Sequence, residues 1–193
     1  MLFRSIVIKT KKIAIDKSIG RILSNKLMTL CDNPPVDISS MDGYAIKKRD
    51  CNKEKILKVV DESSAGSPSK KKVLNGQAVR IFTGGAIPFG ANKVIIQEDV
   101  KIISKNKIRI TECNNSENIF IRKKGTDFKK GNLIERYSIL SPRDLLLFAS
   151  MGYGKFEVYK KLKISILSVG NELLQPGQKT KRNKIYASNA YGI

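Results

Sequence analysis

The sequence predicts a mixed α/β chain that is mostly β and built from more than one unit. Three observations predict it. Short apolar runs alternate with turn residues from Leu57 to Ile121, a single capped helix is signalled at Ser141 to Met151, and a nearly continuous apolar run, Ile164 to Val169, ends in Gly170. The first pattern reads as a compact β-rich unit inserted into the chain. The last suits a buried parallel strand opening an α/β unit. At 193 residues and 41% hydrophobic, the chain has room for one large domain or two small ones and for a real core.

Taken in order, Ser5 to Ile8 is apolar but too short for a signal segment, and Lys9, Lys11 and Lys12 follow it. Ile15, Ile19, Ile22 and Leu23 recur at helical spacing behind Asp16, so Ile15 to Leu23 reads as a short helix that Gly20 weakens. Asn33-Pro34-Pro35 stops any helix. Val36 to Ile46 is loop-like, and Gly43 to Ile46 enters a strand.

The β block comprises Leu57 to Val60, Val73-Leu74, Ala78 to Phe82, Val94 to Ile96, Ile102-Ile103, Ile108 to Ile110 and Ile119 to Ile121. Loops are expected at Ser63 to Ser69 and Gly84 to Gly90, and a hairpin joins Lys101–Ile103 to Ile108–Ile110. The helix has Ser141 as N-cap, Pro142 at its first position, Asp144 as the capping-box acid and Gly152 beyond its end. Phe156 to Tyr159 forms a further strand. The residues after Gly170 are too few to cover both faces of an α/β sheet.

Composition excludes several chemistries. There is no histidine, which removes Ser-His-Asp and Cys-His catalysis and imidazole metal sites. Cys31, Cys51 and Cys113 are far apart and odd in number, and are expected as free thiols in a reducing compartment. No apolar run reaches membrane-spanning length, so a soluble, cytoplasmic protein is expected. Lys and Arg number 37 against 17 Asp and Glu, a formal charge of +20. Such a surplus attracts anions. Lys, Ile and Asn also share A/T-rich codons, the positives are spread along the chain, and the few aromatics are not interleaved with them. A basic nucleic-acid-binding protein is therefore the less favoured alternative.

Four clusters carry possible chemistry. Ser39 to Ala45 sets Asp42 beside Gly43. Arg80 to Pro88 runs a strand into Thr83-Gly84-Gly85, whose adjacent amides suggest an anion-binding nest, and Gln97, Glu98 and Asp99 follow the next strand. Arg122-Lys123-Lys124 leads to Gly125-Thr126-Asp127. Ser168 to Leu173 places Glu172 just beyond a presumed parallel strand, the edge where open α/β sheets bind ligands. Each also has a plain reading as a turn or a solvated strand end.

In this order the clusters resemble the molybdopterin molybdenumtransferases, a family that includes the bacterial MoeA proteins and the gephyrin E domain. Met41-Asp42-Gly43-Tyr44-Ala45, Arg80 to Pro88 with Val94 to Glu98, Arg122 to Gly131, Leu140 to Gly152 and Ile164 to Gly177 match its motifs, and the similarity runs from about Ile13 to Asn189. The resemblance implies a split elongated domain (1–40 plus 128–161), an inserted β-rich domain (41–127) and the start of a molybdopterin-binding α/β domain (162–193). It implies insertion of molybdate into adenylylated molybdopterin with release of AMP, Mg²⁺ as cofactor, a homodimer and a molybdopterin adenylyltransferase partner.

On the matching positions, the resemblance makes Asp42, Thr83, Asp127 and Glu172 catalytic. Asp42 and Glu172 become metal ligands, and Gly84, Ser168, Gly170, Ser188 and Asn189 hold the pterin substrate. Val169, Asn171, Ala187 and Ala190 depart from the family pattern, which has Thr, Asp, Asp and Arg there. The family's glycine-rich pterin loop and its later Lys- and Pro-containing segments have no counterpart before Ile193. The chain is thus expected to be a fragment, a decayed gene product or a chain completed by a partner, or else a non-catalytic dimerisation scaffold of the same family.

Overall fold

The computed structural model describes residues 7–113 and 120–192. In chain order the strands are β1 (Thr10–Ala14), β2 (Leu27–Met28), β3 (Ile38–Ser39), β4 (Gly43–Ile46), β5 (Ile56–Ser63), β6 (Gln77–Ile81) and β7 (Lys93–Ile96). They continue with β8 (Val100–Ser104), β9 (Lys107–Ile110), β10 (Ile121–Arg122), β11 (Leu133–Ile134), β12 (Lys155–Tyr159), β13 (Leu173–Leu174) and β14 (Ile185–Tyr186). The helices are α1 (Pro142–Ser150) and the single turn α2 (Asn189–Gly192). The chain is β-rich, as the sequence predicts.

Six strands form the main sheet, in the order β7-β4-β6-β5-β9-β8. Only β5 and β6 run parallel; the other neighbours are antiparallel. Side chains alternate across the pleat, and both faces of the central strands are covered. Tyr44, Ile46, Leu57, Ala78, Ile95, Ile108 and Ile110 pack on one side, while Ala45, Ile81, Val94 and Ile121 pack on the other. All four residues of β4 are buried. The expected hairpin is β8–β9.

Sequence-distant segments close the remaining pairs. β1 pairs antiparallel with β12, β2 with β11 and β3 with β10. Beside the first two pairs, Leu23, Leu27, Leu140, Phe148, Met151, Phe156 and Val158 form a second core, with Phe148 and Phe156 edge to face at 5.3 Å between centroids. The helix forms where its caps predict. Ser141 and Asp144 make the reciprocal capping box, and Arg136 holds the other Asp144 oxygen at 2.9 Å. Gly152 turns the chain away at φ 96°.

Four expectations are corrected. Ile15 to Leu23 is not a helix. Only the 3-10 turn Ile15–Lys17 forms, because the Ser18 hydroxyl takes the Ile15 carbonyl and Gly20 sits at φ 75°. Val73-Leu74 is a loop whose Val73 N–H goes to the Phe89 carbonyl. Ile164 to Val169 is not a buried parallel strand. It carries no ladder, and Ile164, Leu167 and Val169 are 75%, 86% and 80% exposed. A parallel strand needs flanking partners, and no described residue offers its backbone there. β13 and β14 are parallel but two residues long, so no α/β layer forms among the described residues. Finally, Cys51 and Cys113 are disulfide-bonded, with Cα atoms 5.7 Å apart; only Cys31 is free. The register that sets β9 beside β5 carries Cys113 back to the turn after β4, which sequence spacing does not reveal. Ser5 and Ile6 of the leading apolar stretch, and Ile119 of the last predicted strand, lie outside the described residues.

Two outcomes follow for stability. A Cβ on Gly43 would lie 1.9 Å from the Ile95 carbonyl oxygen, so Gly43→Ala is expected to lower unfolding free energy by about 3 kcal/mol, at the upper end of overpacking costs, read from the urea midpoint. The disulfide spans a sequence separation of 62. Its reduction, or Cys113→Ser, is expected to cost about 4 kcal/mol. An intact-mass measurement that finds three free thiols in the unreduced protein would remove the bridge.

Candidate functional site

β4 is wedged between β6 and β7, and its first residue, Gly43, touches the backbone of the neighbouring strand. The glycine is therefore required by strand packing, rather than by ligand access to its neighbour. Immediately before it, Asp42 emerges at the sheet edge. Thr83, just past the end of β6, meets it. Asp42 Oδ1 accepts from the Thr83 N–H at 2.8 Å and from the Thr83 hydroxyl at 2.9 Å. The two predicted residues are thus one hydrogen-bonded unit built from two loops.

The Thr83-Gly84-Gly85 turn is not an anion nest. The Thr83 N–H goes to Asp42, the Gly84 N–H to the Ser39 carbonyl at 2.8 Å and the Gly85 N–H to the Phe82 carbonyl at 2.8 Å. Gly84 serves by its φ of 80°, and a Cβ on Gly85 would lie 2.7 Å from the Ser63 carbonyl oxygen. Every amide of the turn is spent on holding it. Positive charge comes instead from Arg80. This residue faces Tyr44 across the β4–β6 register. Its guanidinium lies 5.0 Å from the Tyr44 ring centroid and 4.8 Å from that of Phe82. It donates to the Gly43 carbonyl at 3.3 Å and to Gln97 Oε1 at 2.7 Å. The Gln97 N–H in turn donates to the Asp42 carbonyl at 3.1 Å.

Asp42 consequently stays ionised. The Thr83 backbone N–H first, then its hydroxyl, then the charge of Arg80 hold its carboxyl below the usual aspartate range. A carboxylate of this kind is a poor proton donor and a good fixed acceptor or oxygen ligand. The sequence places Arg80 and Gln97 in the clusters that could carry chemistry but assigns neither a role in the site. Side-chain alternation along β6 was the available signal, while the register that sets Arg80 opposite Tyr44 emerges only from the structure.

Asp127 is organised separately. Arg122 Nη2 donates to both its oxygens, at 2.8 and 2.9 Å. The same segment is tied to the chain around the cis Asn33–Pro34 bond. Asp37 accepts from Lys123 Nζ and the Lys124 N–H, and Asp32 accepts from the Lys130 N–H and pairs with Lys124. The two assemblies communicate through the backbone of residues 38–40. Ser39 exchanges hydrogen bonds with Gly84 and Gly85, Ser40 donates to Phe120, and Ile38-Ser39 pairs with Ile121-Arg122.

The C-terminal residues stand apart. Glu172 precedes the short strand β13 rather than following a strand. Its carbonyl accepts from Ile185, and its carboxylate folds back so that a Cβ on Gly170 would meet it at 2.5 Å. Ser168 is exposed, Ser188 accepts from Tyr191, and Asn189 opens the one-turn α2. Among the described residues, no hydrogen bond or ion pair joins Glu172 to Asp42, Thr83 or Asp127. Nor do three His, Cys, Asp or Glu side chains gather as metal ligands. Asp42 and Glu172 do not meet within one chain, and no group of three such side chains forms a metal centre among the described residues. No helix among the described residues is long and apolar enough to cross a membrane.

The fold and this turn define a β-rich module with a pinned carboxylate at the sheet edge. The chain belongs to the family of the MoeA N-terminal region (domain I and II), whose model matches residues 2–152. It is 33% identical over 186 residues to the molybdopterin molybdenumtransferase of Haemophilus influenzae, covering 96% of this chain and 46% of that protein. It is 31% identical over 183 residues to the same-named protein of Staphylococcus aureus, covering 92% and 43%. The crystal structure of a MoeA molybdopterin biosynthesis protein from Pyrococcus horikoshii superposes with a TM-score of 0.84 at 32% identity, covering 95% of this chain and 48% of that one. The chain thus spans about half the length of the relatives it matches. The family resemblance carried by the sequence motifs holds.

The Asp42 carboxyl is expected to titrate below the ordinary value of about 3.9 in a carbon NMR titration of side-chain carboxyls. Thr83→Val should move it up further than Arg80→Ala, since hydrogen bonding outranks the more distant charge. A lowered carboxyl pKa contributes stability that is present above the unfolded value and lost as pH falls through the folded one. Asp32, Asp37 and Asp144 are lowered too, so the melting temperature should drop as pH falls below about 4. An Asp42 titration above the ordinary value would overturn this account.

Proposed function

We propose that the chain provides the Asp42–Thr83 part of a molybdate-insertion site, in a reaction that moves molybdenum from molybdate into adenylylated molybdopterin and releases AMP. The supporting observation is the carboxylate locked by two Thr83 hydrogen bonds beside the Arg80 guanidinium. Preorganised charge of this kind acts without reorganising during the reaction. Asp42 is the fixed acceptor that orients the substrate, Thr83 holds it, and Arg80 keeps local charge favourable for an anionic guest. Asp127, held by Arg122, lines the adjoining loop.

In this reading the molecule divides into a split unit (1–40 plus 128–161), an inserted β-rich unit (41–127) and a third unit from 162. Glu172, Ser168, Gly170, Ser188 and Asn189 of the third unit meet the pterin substrate. Glu172 would come to Asp42 from a second subunit of a homodimer, because the two are not in contact within one chain. Mg²⁺ would arrive on the phosphates of the substrate, since no group of three ligands gathers among the described residues. Membership of the MoeA family and the small-molecule character of its substrates support this reading. A cytoplasmic setting and transient contact with the adenylyltransferase that makes the substrate complete it.

The test is an AMP-release assay with adenylylated molybdopterin and molybdate. This chain alone is expected to give no turnover. Fused to the half of the Haemophilus influenzae relative that it does not span, it should turn over, and Asp42→Ala in the fusion should lose roughly 100-fold, the scale of one preorganised electrostatic group. Full activity of the Asp42→Ala fusion would sink the assignment of Asp42. Turnover by the isolated chain would sink the need for further groups.

A further inference from the structure

We propose that the cleft at the far end of β4 binds a small phosphate-bearing anion, at a site separate from the Asp42 turn. Asp42 adjoins the first residue of β4, and this cleft opens at its last. The separation is about 10 Å along an extended strand. The cleft has a volume of about 720 Å³ and is lined by Lys47, Lys48, Arg49, Asn52, Gly90 and Asn92, with Cys51 at its base. That size falls in the ordinary range for small-molecule sites.

Unpaired cations gathered in one cleft, rather than composition, single this place out. The chain is basic throughout, but its cationic runs are treated differently. Arg122, Lys123 and Lys124 are each neutralised, by Asp127, Asp37 and Asp32. Among the described residues, Lys47, Lys48 and Arg49 have no ion-pair partner and no acid lines the cleft. The one carboxylate in the turn, Asp50, is buried and accepts from the Gly76 N–H at 3.0 Å. Three adjacent cations thus line one cleft, Lys48 and Arg49 exposed and Lys47 half-buried.

The frame that presents them is fixed. The Lys48 N–H donates to Asn92 Oδ1 at 2.7 Å, and the Asn92 N–H donates to the Ile46 carbonyl at 3.0 Å. Asn52 Nδ2 donates to the Arg49 carbonyl at 3.1 Å. Behind the turn, the Cys51–Cys113 bridge ties it to the exit of β9. With its Oδ1 engaged, Asn92 has its Nδ2 hydrogens for a guest. Two ammonium groups, a guanidinium and an amide suit a doubly charged phosphate group. Among the described lining residues there is no aromatic side chain on which a base would stack, so the recognised part is the phosphate itself.

The test is calorimetric titration of the full chain with inorganic pyrophosphate and, in a second arm, glycerol phosphate, to separate free phosphates from esters. Lys48→Ala/Arg49→Ala, at two exposed positions, should weaken binding by roughly tenfold or more, as expected for lost charge-assisted hydrogen bonds. Arg49→Ala alone should give an intermediate loss. The same charge removed elsewhere, in Lys160→Ala/Lys161→Ala, should change affinity by less than about twofold. Circular dichroism melting confirms that each variant is folded. No binding of either probe overturns the proposal, as does equal weakening by both double variants. Displacement of pyrophosphate by a short single-stranded RNA that binds more than about tenfold tighter through Lys48 and Arg49 also overturns it, in favour of a nucleic-acid surface.

Discussion

The close approach of β4 to the backbone of β7 is the constraint on which the rest depends. β4 is four residues long, buried on both faces and hydrogen-bonded on both edges. Its position fixes where the chain leaves the sheet at either end. At one end it sets Asp42 against Thr83. At the other it sets the Lys48–Asp50 turn against Asn92 and the disulfide. In between, Tyr44 supplies the ring on which Arg80 rests. A short, doubly buried strand is a rigid ruler, and both polar assemblies inherit its rigidity.

Electrostatics divide the surface in a way that net charge conceals. The segment from Arg122 to Lys130 is stitched to the chain around Asp32 and Asp37 by interleaved carboxylates and lysines. Each such pair is exposed and individually weak. Together they hold a loop that has little apolar surface of its own. Elsewhere Lys26, Arg109 and Arg136 are paired as well, whereas Lys47, Lys48 and Arg49 have no ion-pair partner among the described residues. Formal charge is a statement about composition, whereas function depends on which cations have been neutralised locally.

Much of the fold was legible because its signals are local. Alternating apolar residues mark β5 to β9, and Ser141, Pro142, Asp144 and Gly152 delimit α1 residue by residue. The failures have physical causes too. Ile15, Ile19 and Ile22 have helical spacing, but Ser18 and Gly20 divert the backbone, so tertiary pairing of Leu23 with Val158 prevails. Ile164 to Val169 has the composition of a buried strand without the neighbours that would make it one. In the site, Asp42 and Thr83 were found from motifs, and their mutual hydrogen bonds depend on a strand register that spacing alone does not give. Arg80 heads a motif in the sequence, but its role is created by Tyr44 and Phe82, one on a neighbouring strand. The apparent nest at Gly84-Gly85 was misread because amides visible in sequence are already consumed in three dimensions.

The pairing of β1 with β12 has a consequence for how the protein comes into being. Partners such as Thr10 and Tyr159 lie far apart in sequence, while β8 and β9 are joined by a tight turn. Contacts of such unequal sequence distance close at unequal rates. As the polypeptide leaves the ribosome, the six-stranded sheet has all its members once residue 110 has emerged. β1 must then wait, with its ladder groups unsatisfied, until a further stretch has been synthesised. A strand made well before its partner is therefore among the last to be folded, and this waiting edge is where a chaperone would have most to protect.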